Sequence, residues 1–60
     1  MKPAKMLKQT AQIMCEEFNR RLGSKAYIPL YDNGWTVYSL YRRESLDRID
    51  LALVSAMTAH

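Results

Sequence analysis

Asp32-Asn33-Gly34 marks a tight turn between two segments that are rich in aromatic and β-branched residues. Asn and Gly accept the positive φ angles that hairpin turns require, so the pattern predicts an antiparallel β-hairpin with strands over residues 26–31 and 35–41. Pro29 has no amide hydrogen to donate, which places the first strand at an edge of the sheet. An isolated hairpin is only marginally stable in water, so other elements must cover it.

The register of this hairpin has two solutions. A two-residue turn at Asn33-Gly34 pairs Asp32 with Trp35, whereas a type I turn with Gly34 in a bulge pairs Tyr31 with Trp35. The first register groups on one face Ile28, Leu30, Trp35 and Val37. The second register groups on one face Ile28, Leu30, Tyr38 and Leu40. A slip of one residue exchanges the faces of the second strand, and the sequence leaves both solutions open. In either case we expect the core on the face with Ile28 and Leu30.

Helical periodicity flanks the hairpin on both sides. A first helix is predicted over residues 3–22, with Pro3 at its start and Gly23 as its left-handed stop. Its expected buried stripe is Leu7, Ala11, Met14, Phe18 and Leu22, with Ala4 and Cys15 beside it. A second helix is predicted over residues 46–59, with Ser45 as its N-cap. Its expected stripe is Leu46, Ile49, Leu53, Ala56 and Met57.

The order helix, hairpin, helix predicts one small α+β domain over residues 1–60, with both helices on one face of the hairpin. A domain of this size buries only about 60% of the surface that its unfolded chain exposes, and small domains often recruit a disulfide, a metal or a partner subunit. Cys15 is the only cysteine, and no cluster of His, Cys and carboxylates has metal-ligand spacing. We therefore expect a second chain to extend or cover the sheet, as in a homodimer.

Residues suited to catalysis are sparse. Cys15 and His60 are the only candidates for a nucleophile and its base, and they lie beside the buried stripe and at the last position. Glu16 and Glu17 are neighbours, which diverge by about 100° on a helix and cannot act as one acid–base pair. The two glycines already serve as helix stop and turn, which leaves no phosphate-binding loop. The sequence therefore predicts a protein that is not an enzyme and uses no cofactor or metal.

Aromatic and basic side chains in excess of a small core indicate a binding function. The residues expected to contact a partner are Tyr27, Tyr31, Trp35, Tyr38, Lys5 and Lys8. A dimer interface or secondary apolar surface is expected from Met6 with Ile13 and from Leu51 with Val54. Each of these pairs lies away from its helix's main stripe.

The charge pattern points to an acidic partner. Nine Lys and Arg against six Asp and Glu give a formal net charge of +3. The lysines at the start of the first predicted helix oppose its dipole, which a phosphate or carboxylate on a partner would offset. An alternative hypothesis is therefore nucleic-acid binding through Lys2, Lys5, Lys8, Arg42 and Arg43, with exposed tyrosines stacking on bases.

The first hypothesis is a non-catalytic interaction protein that acts as a regulator or inhibitor by binding a surface of a larger protein, as a homodimer. The alternative is a nucleic-acid-binding regulatory protein. The longest apolar run, residues 51–54, is far short of the roughly 20 residues that span a bilayer. Lys5 and Lys8 would interrupt the apolar core of a signal peptide, and a single cysteine fits a reducing compartment. We expect a cytoplasmic protein that has no membrane partner.

Overall fold

The computed structural model describes residues 2–59 and confirms the α+β fold. In chain order it contains α1 (Lys8–Leu22), β1 (Tyr27–Tyr31), β2 (Trp35–Ser39), β3 (Glu44–Ser45) and α2 (Arg48–Thr58). The strands form one antiparallel sheet in the order β1-β2-β3, with β2 in the centre. The two-residue strand β3 was not predicted, because its residues follow a turn without the Gly or Pro that usually marks one.

The hairpin adopts the second of the two predicted registers. Tyr31 lies opposite Trp35 and Ile28 lies opposite Tyr38, with Asp32-Asn33-Gly34 as the connection. Asn33 and Gly34 both have positive φ, at 51° and 128°. Asn tolerates the first value and Gly the second, so the turn chemistry determines which side chains share a face.

The core lies on the opposite face of the sheet from the one expected. Val37 is fully buried, and Tyr27 packs against the same core cluster, whereas Leu30 on the other face is exposed. The small side chains of Val37 and Ser39 lie on the helix side of the central strand and let α1 approach it closely. The expectation failed because it weighed the hydrophobicity of each face and not its shape.

One hydrophobic core joins both helices to the sheet. It consists of Cys15, Phe18, Val37, Leu46 and Leu51, with partly buried Ala4, Met6, Met14, Tyr27 and Val54 packed around it. On α1 the buried residues are Ala11, Cys15 and Phe18, as the predicted stripe requires, but Leu7 and Leu22 at its ends are exposed.

The first helix begins five residues later than predicted. Residues 2–7 are not helical, and Met6 forms a backbone bridge with Trp35 through hydrogen bonds of 2.9 and 3.2 Å. The amide of Ala4 donates to the carbonyl oxygen of Leu46 over 3.0 Å. Pairing with the sheet thus satisfies backbone groups that a helix start would leave open. Pro3 and Lys5 consequently lie outside the helix, and the predicted opposition of three lysines to the dipole is reduced to Lys8.

The second helix has a different cap and a different buried side from those predicted. Asp47, and not Ser45, is the N-cap, and its carboxylate accepts a hydrogen bond of 2.7 Å from the amide of Asp50. Ser45 belongs to β3 and shares a hydrogen bond with the Thr36 hydroxyl. Leu46 is buried but precedes the first residue of α2, so its burial does not determine which side of the helix faces the core. The inward side of α2 carries Leu51, Val54 and Thr58.

The two edge strands, β1 and the two-residue β3, offer few backbone groups for further pairing. The Asn19 side chain accepts from the amide of Tyr27 over 2.9 Å and donates to its carbonyl oxygen over 2.8 Å, which occupies the outer edge of β1 there. Pro29 follows two residues later on that edge and has no amide donor. On the other side, β2 is paired with Met6 and with β3. The sheet therefore offers little to a further strand.

Candidate interaction surfaces

Four of the six residues predicted to contact a partner lie together at the turn end of the sheet. The Tyr31 and Trp35 rings meet edge to face, with centroids 5.6 Å apart and an interplanar angle of 66°. The Lys8 ammonium lies 5.3 Å from the centre of the Trp35 ring, a cation–π distance. Tyr31 remains 64% exposed. We call Lys5, Lys8, Tyr31 and Trp35 the tip patch.

Lys5 joins the tip patch through the turn. Its ammonium donates to the carbonyl oxygen of Asp32 and lies 3.8 Å from the Asp32 carboxylate. The Lys5 side chain also runs along Gly34, where an added Cβ would stand 3.3 Å from two of its carbon atoms. The N-terminal segment and the turn therefore hold each other in place beside the aromatic rings.

The other two predicted contact residues lie elsewhere. Tyr27 packs edge to face on Phe18, with centroids 5.5 Å apart at 70°, and belongs to the surround of the core. Burial raises the pKa of its phenol, partly offset by the charge of Arg42. Tyr38 lies on the sheet face that carries neither helix. The register places Tyr31 and Tyr38 on opposite faces, so these four aromatic residues do not form one surface.

The predicted secondary apolar surface does not form. Met6 packs against the core from the N-terminal segment, whereas Ile13 is exposed on α1. Leu51 is a core residue and Val54 packs beside it. The expectation for α2 was inverted: the residues assigned to the core face outward.

The outward side of α2 carries a continuous apolar stripe. Ile49, Leu53 and Met57 are 56%, 55% and 75% exposed, and they follow one another at intervals of four residues along one side of the helix. We call them, together with the exposed Ala52 and Ala56 between them, the α2 outer face. Sequence periodicity grouped most of these residues into one stripe. Periodicity alone does not determine whether such a stripe faces the core or the solvent.

The basic residues predicted to contact nucleic acid are divided between separate regions. Lys5 and Lys8 lie at the turn end of the sheet, whereas Arg42 and Arg43 lie in the turn beyond the opposite end of β2. Arg42 pairs with Glu44 and, over 2.9 Å, with Asp50. The hydrogen bond to Asp50 and the nearby carboxylate charges raise the pKa of Arg42.

Lys2 and Lys5 both line a shallow groove of about 620 Å³. It lies between the N-terminal segment and the start of α2, where Arg48 and Ile49 form the other wall. Asp47 also lines it, so the groove holds both charge signs. Arg42 and Arg43 do not line this groove, so the five predicted basic residues do not form one patch.

The candidate nucleophile Cys15 lies in the core. Cys15 is buried, and burial together with the Glu16 charge raises the pKa of its thiol to about 11. A thiol in that state is a poor nucleophile near neutral pH. His60, its only candidate base, lies outside the described residues. Within residues 2–59 no group of three or more His, Cys, Asp and Glu side chains could hold a metal ion.

Two further findings bear on function. No helix within residues 2–59 combines the length and the apolar character needed to cross a membrane. A scan against protein-family models, a search of curated proteins and a search of solved structures each found no match to the chain.

Proposed function

We propose that this chain is a non-catalytic interaction protein that acts as a regulator or inhibitor by binding a surface of a larger protein. It does so as a homodimer in the cytoplasm, where its single cysteine stays reduced. The tip patch makes the contact, and its partner surface is acidic.

The observation that carries the proposal is the joint position of Tyr31, Trp35 and Lys8. Trp and Tyr side chains are enriched in the residues that dominate protein–protein binding energies. The ring of Trp35 is fixed by Tyr31 on one side and by Lys8 on another, so little side-chain entropy is lost when a partner covers it. An acidic partner surface would pair with the two lysines that frame the rings.

The test is affinity capture from the lysate of the native host with two matched variants. Tyr31→Ser removes an exposed ring from the tip patch, and Tyr41→Ser removes an exposed ring from the turn at the opposite end of β2. We expect Tyr31→Ser to lose the captured protein at least tenfold and Tyr41→Ser to retain it. Equal capture by the two variants, with both folded by circular dichroism, would refute the tip patch.

A second candidate function is the binding of single-stranded nucleic acid at the same place. An exposed tyrosine beside a lysine-capped tryptophan is also what base stacking with phosphate contacts requires. The commitment of Arg42 to two carboxylates weakens this candidate, because it removes one of the five basic residues that were expected to contribute.

Gel retardation separates the two candidates. Nucleic-acid binding would appear at low salt and weaken steeply as salt rises, and neutralising Lys5 and Lys8 would reduce it for every sequence. The absence of retardation of single strands and duplexes at low salt would eliminate the second candidate.

A further inference from the structure

The α2 outer face lies on the side of its helix opposite the core. Leu51 and Val54 point into the core, and the stripe formed by Ile49, Leu53 and Met57 is centred about 130° away around the helix. A helix that is apolar on both sides is typical of one that is covered on both sides. We propose that the α2 outer face is the homodimer interface, with two copies of α2 packed antiparallel about a twofold axis at Leu53. This inference rests on the homodimer in the proposed function and names its interface.

The sheet edges offer a second copy few backbone groups to pair with, which favours this surface for self-association. Asn19 already bonds both backbone groups of Tyr27, and Pro29 offers no amide on the same edge. The opposite edge is β3, a strand of only two residues, which gives a further strand little to pair with. A second copy therefore cannot extend the sheet readily and must pack side chain against side chain.

The stripe is complementary to itself. Leu53 stands at its centre, with Ile49 four residues before and Met57 four residues after it. An antiparallel copy places Leu53 against its own equivalent and Ile49 against Met57 of the partner subunit, as a twofold interface requires. Ala52 and Ala56 beside the stripe are small enough to let the two helix backbones approach closely.

Charge favours a second copy on this stripe. The stripe itself contains no charged side chain. The two charged residues of α2, Arg48 and Asp50, project about 100° to either side of Ile49, and Asp50 is held by Arg42 over 2.9 Å. Packing two copies therefore places no charge at the centre of the interface. Asp50, three residues before Leu53, lies at its border and is already paired with Arg42, whereas an acidic or basic partner segment would bring a charge against the stripe itself.

The small surface of the chain limits the strength of the dimer. An interface that covers one tenth of the 4371 Å² surface, a usual share, buries about 440 Å² per partner, roughly half of the 800 Å² of a standard interface. The dimer is therefore reversible, with a dissociation constant on the order of micromolar or weaker. Each copy carries a net charge of +3, so added salt screens the repulsion and strengthens the dimer.

Sedimentation equilibrium of the purified chain is the first test. Between about 10 µM and 1 mM, we expect the wild type to rise from 7.0 kDa toward twice that mass. Leu53→Glu should remain monomeric, with at least a tenfold loss of affinity. Ile13→Glu is the matched control, because Ile13 is an equally exposed apolar residue on α1. It should dimerise as the wild type does, and circular dichroism should show both variants folded.

Thiol cross-linking with a short bis-maleimide tests the geometry. Cys15 is buried with a raised pKa and should not react in the folded protein, so only the introduced cysteine should be cross-linked. A mixture of Ile49→Cys and Met57→Cys should give far more cross-linked dimer than Ile49→Cys alone. In an antiparallel pair the two Ile49 positions lie about 12 Å apart along the axis, because eight residues separate Ile49 from Met57.

The outcomes separate the interface from the rest of the proposed function. A dimer that survives Leu53→Glu overturns this interface and leaves the homodimer standing. A wild type that stays monomeric at every concentration overturns both the interface and the homodimer. Partner binding at the tip patch is still tested separately, by the capture experiment. If the wild type is monomeric and Leu53→Glu abolishes capture of another protein, the stripe belongs to that protein and not to a second copy.

Discussion

The two helices share one core but differ in what they present to solvent. The outward side of α1 carries mostly polar side chains, among them Gln9, Gln12, Glu16 and Arg20. The outward side of α2 carries the α2 outer face, which has no charge. Water can cover α1 at little cost, whereas it covers α2 unfavourably. The comparison supports the proposal that a partner covers α2 and not α1.

The helices also differ in how firmly they are attached. At its C-terminus α1 is joined to β1 by Asn19 and closed by Gly23 in the left-handed conformation, and at its N-terminus Lys8 lies against Trp35. The described part of α2 has the Asp47 cap at its start, and its last turn carries no basic residue to complement the helix dipole. We infer that α2 opens more readily than α1.

The largest expected difference in stability is between a substitution on the buried side of α1 and one on the outward side of α2. Phe18→Ala should destabilise the fold by about 3–5 kcal/mol, because it leaves a cavity in the core. A 60-residue domain has about 3–9 kcal/mol of stability, so this variant should be largely unfolded at 37 °C. Leu53→Ala should change monomer stability by less than about 0.5 kcal/mol.

Thermal melts followed by circular dichroism, at a concentration well below the dissociation constant of the dimer, decide this first contrast. A Leu53→Ala variant that melts as early as Phe18→Ala would show that α2 buries its outward side within one copy. The assignment of the α2 outer face to a partner would then be wrong.

The next largest loss of stability is expected when the Asn19 side chain is removed. Asn19→Ala removes three side-chain hydrogen bonds, two accepted from the amides of Ala26 and Tyr27 and one donated to a carbonyl. At about 1 kcal/mol each, the loss should be about 3 kcal/mol. Gln12→Ala is the control, because it changes an exposed amide on the same helix. If urea unfolding gave similar midpoints for the two variants, α1 would not owe its attachment to Asn19.

The sequence predicted the elements better than it predicted their faces. The turn residues Asn33 and Gly34 identified the hairpin, and Gly23 identified the end of α1, because each needs a local backbone conformation that few residues adopt. Which face of the sheet the helices cover depends on how closely α1 can approach Val37 and Ser39. That distance is a property of three-dimensional packing, and no local sequence pattern predicts it.

The sequence named residues of the candidate site but not their placement. Lys8, Tyr31 and Trp35 were predicted to contact a partner, and the register and the later start of α1 bring them together. The α2 outer face was assigned to the core because a helical stripe at one side of a short segment normally indicates burial. Leu51 and Val54 form a competing stripe, and the sequence contains no signal that ranks one above the other.

Alkaline pH should weaken the fold through the buried side of α1. The pKa of Cys15 is about 11 in the folded chain against an ordinary value of 9.0. Between these values the unfolded chain releases a proton that the folded chain keeps, so the free energy of unfolding falls as pH rises. A difference of two pKa units corresponds to a fall of about 2–3 kcal/mol in the free energy of unfolding by pH 11. The inward side of α2, with Leu51, Val54 and Thr58, has no group that titrates there.

Urea midpoints at pH 8, 9 and 10 measure this dependence. The wild type should lose stability over this range, and Cys15→Ala should lose much less, apart from a smaller contribution of the same sign from Tyr27 near pH 10. The slopes are compared, and not the absolute stabilities, because the alanine also leaves a small cavity. Parallel slopes would mean that Cys15 is not held in its protonated form by burial.

The smallest effect tests the weaker attachment of α2 directly. Asp47→Ala removes the side-chain cap on the amide of Asp50 and should cost about 1 kcal/mol. Asp47→Asn keeps an accepting oxygen at the same place and should cost only a few tenths. Hydrogen exchange should show faster opening of the α2 amides in Asp47→Ala while the α1 amides keep their protection, because α2 can fray without breaking the bonds of Asn19. Equal acceleration in both helices would mean that they open as one unit, and the contrast between α1 and α2 would then lie only in their surfaces.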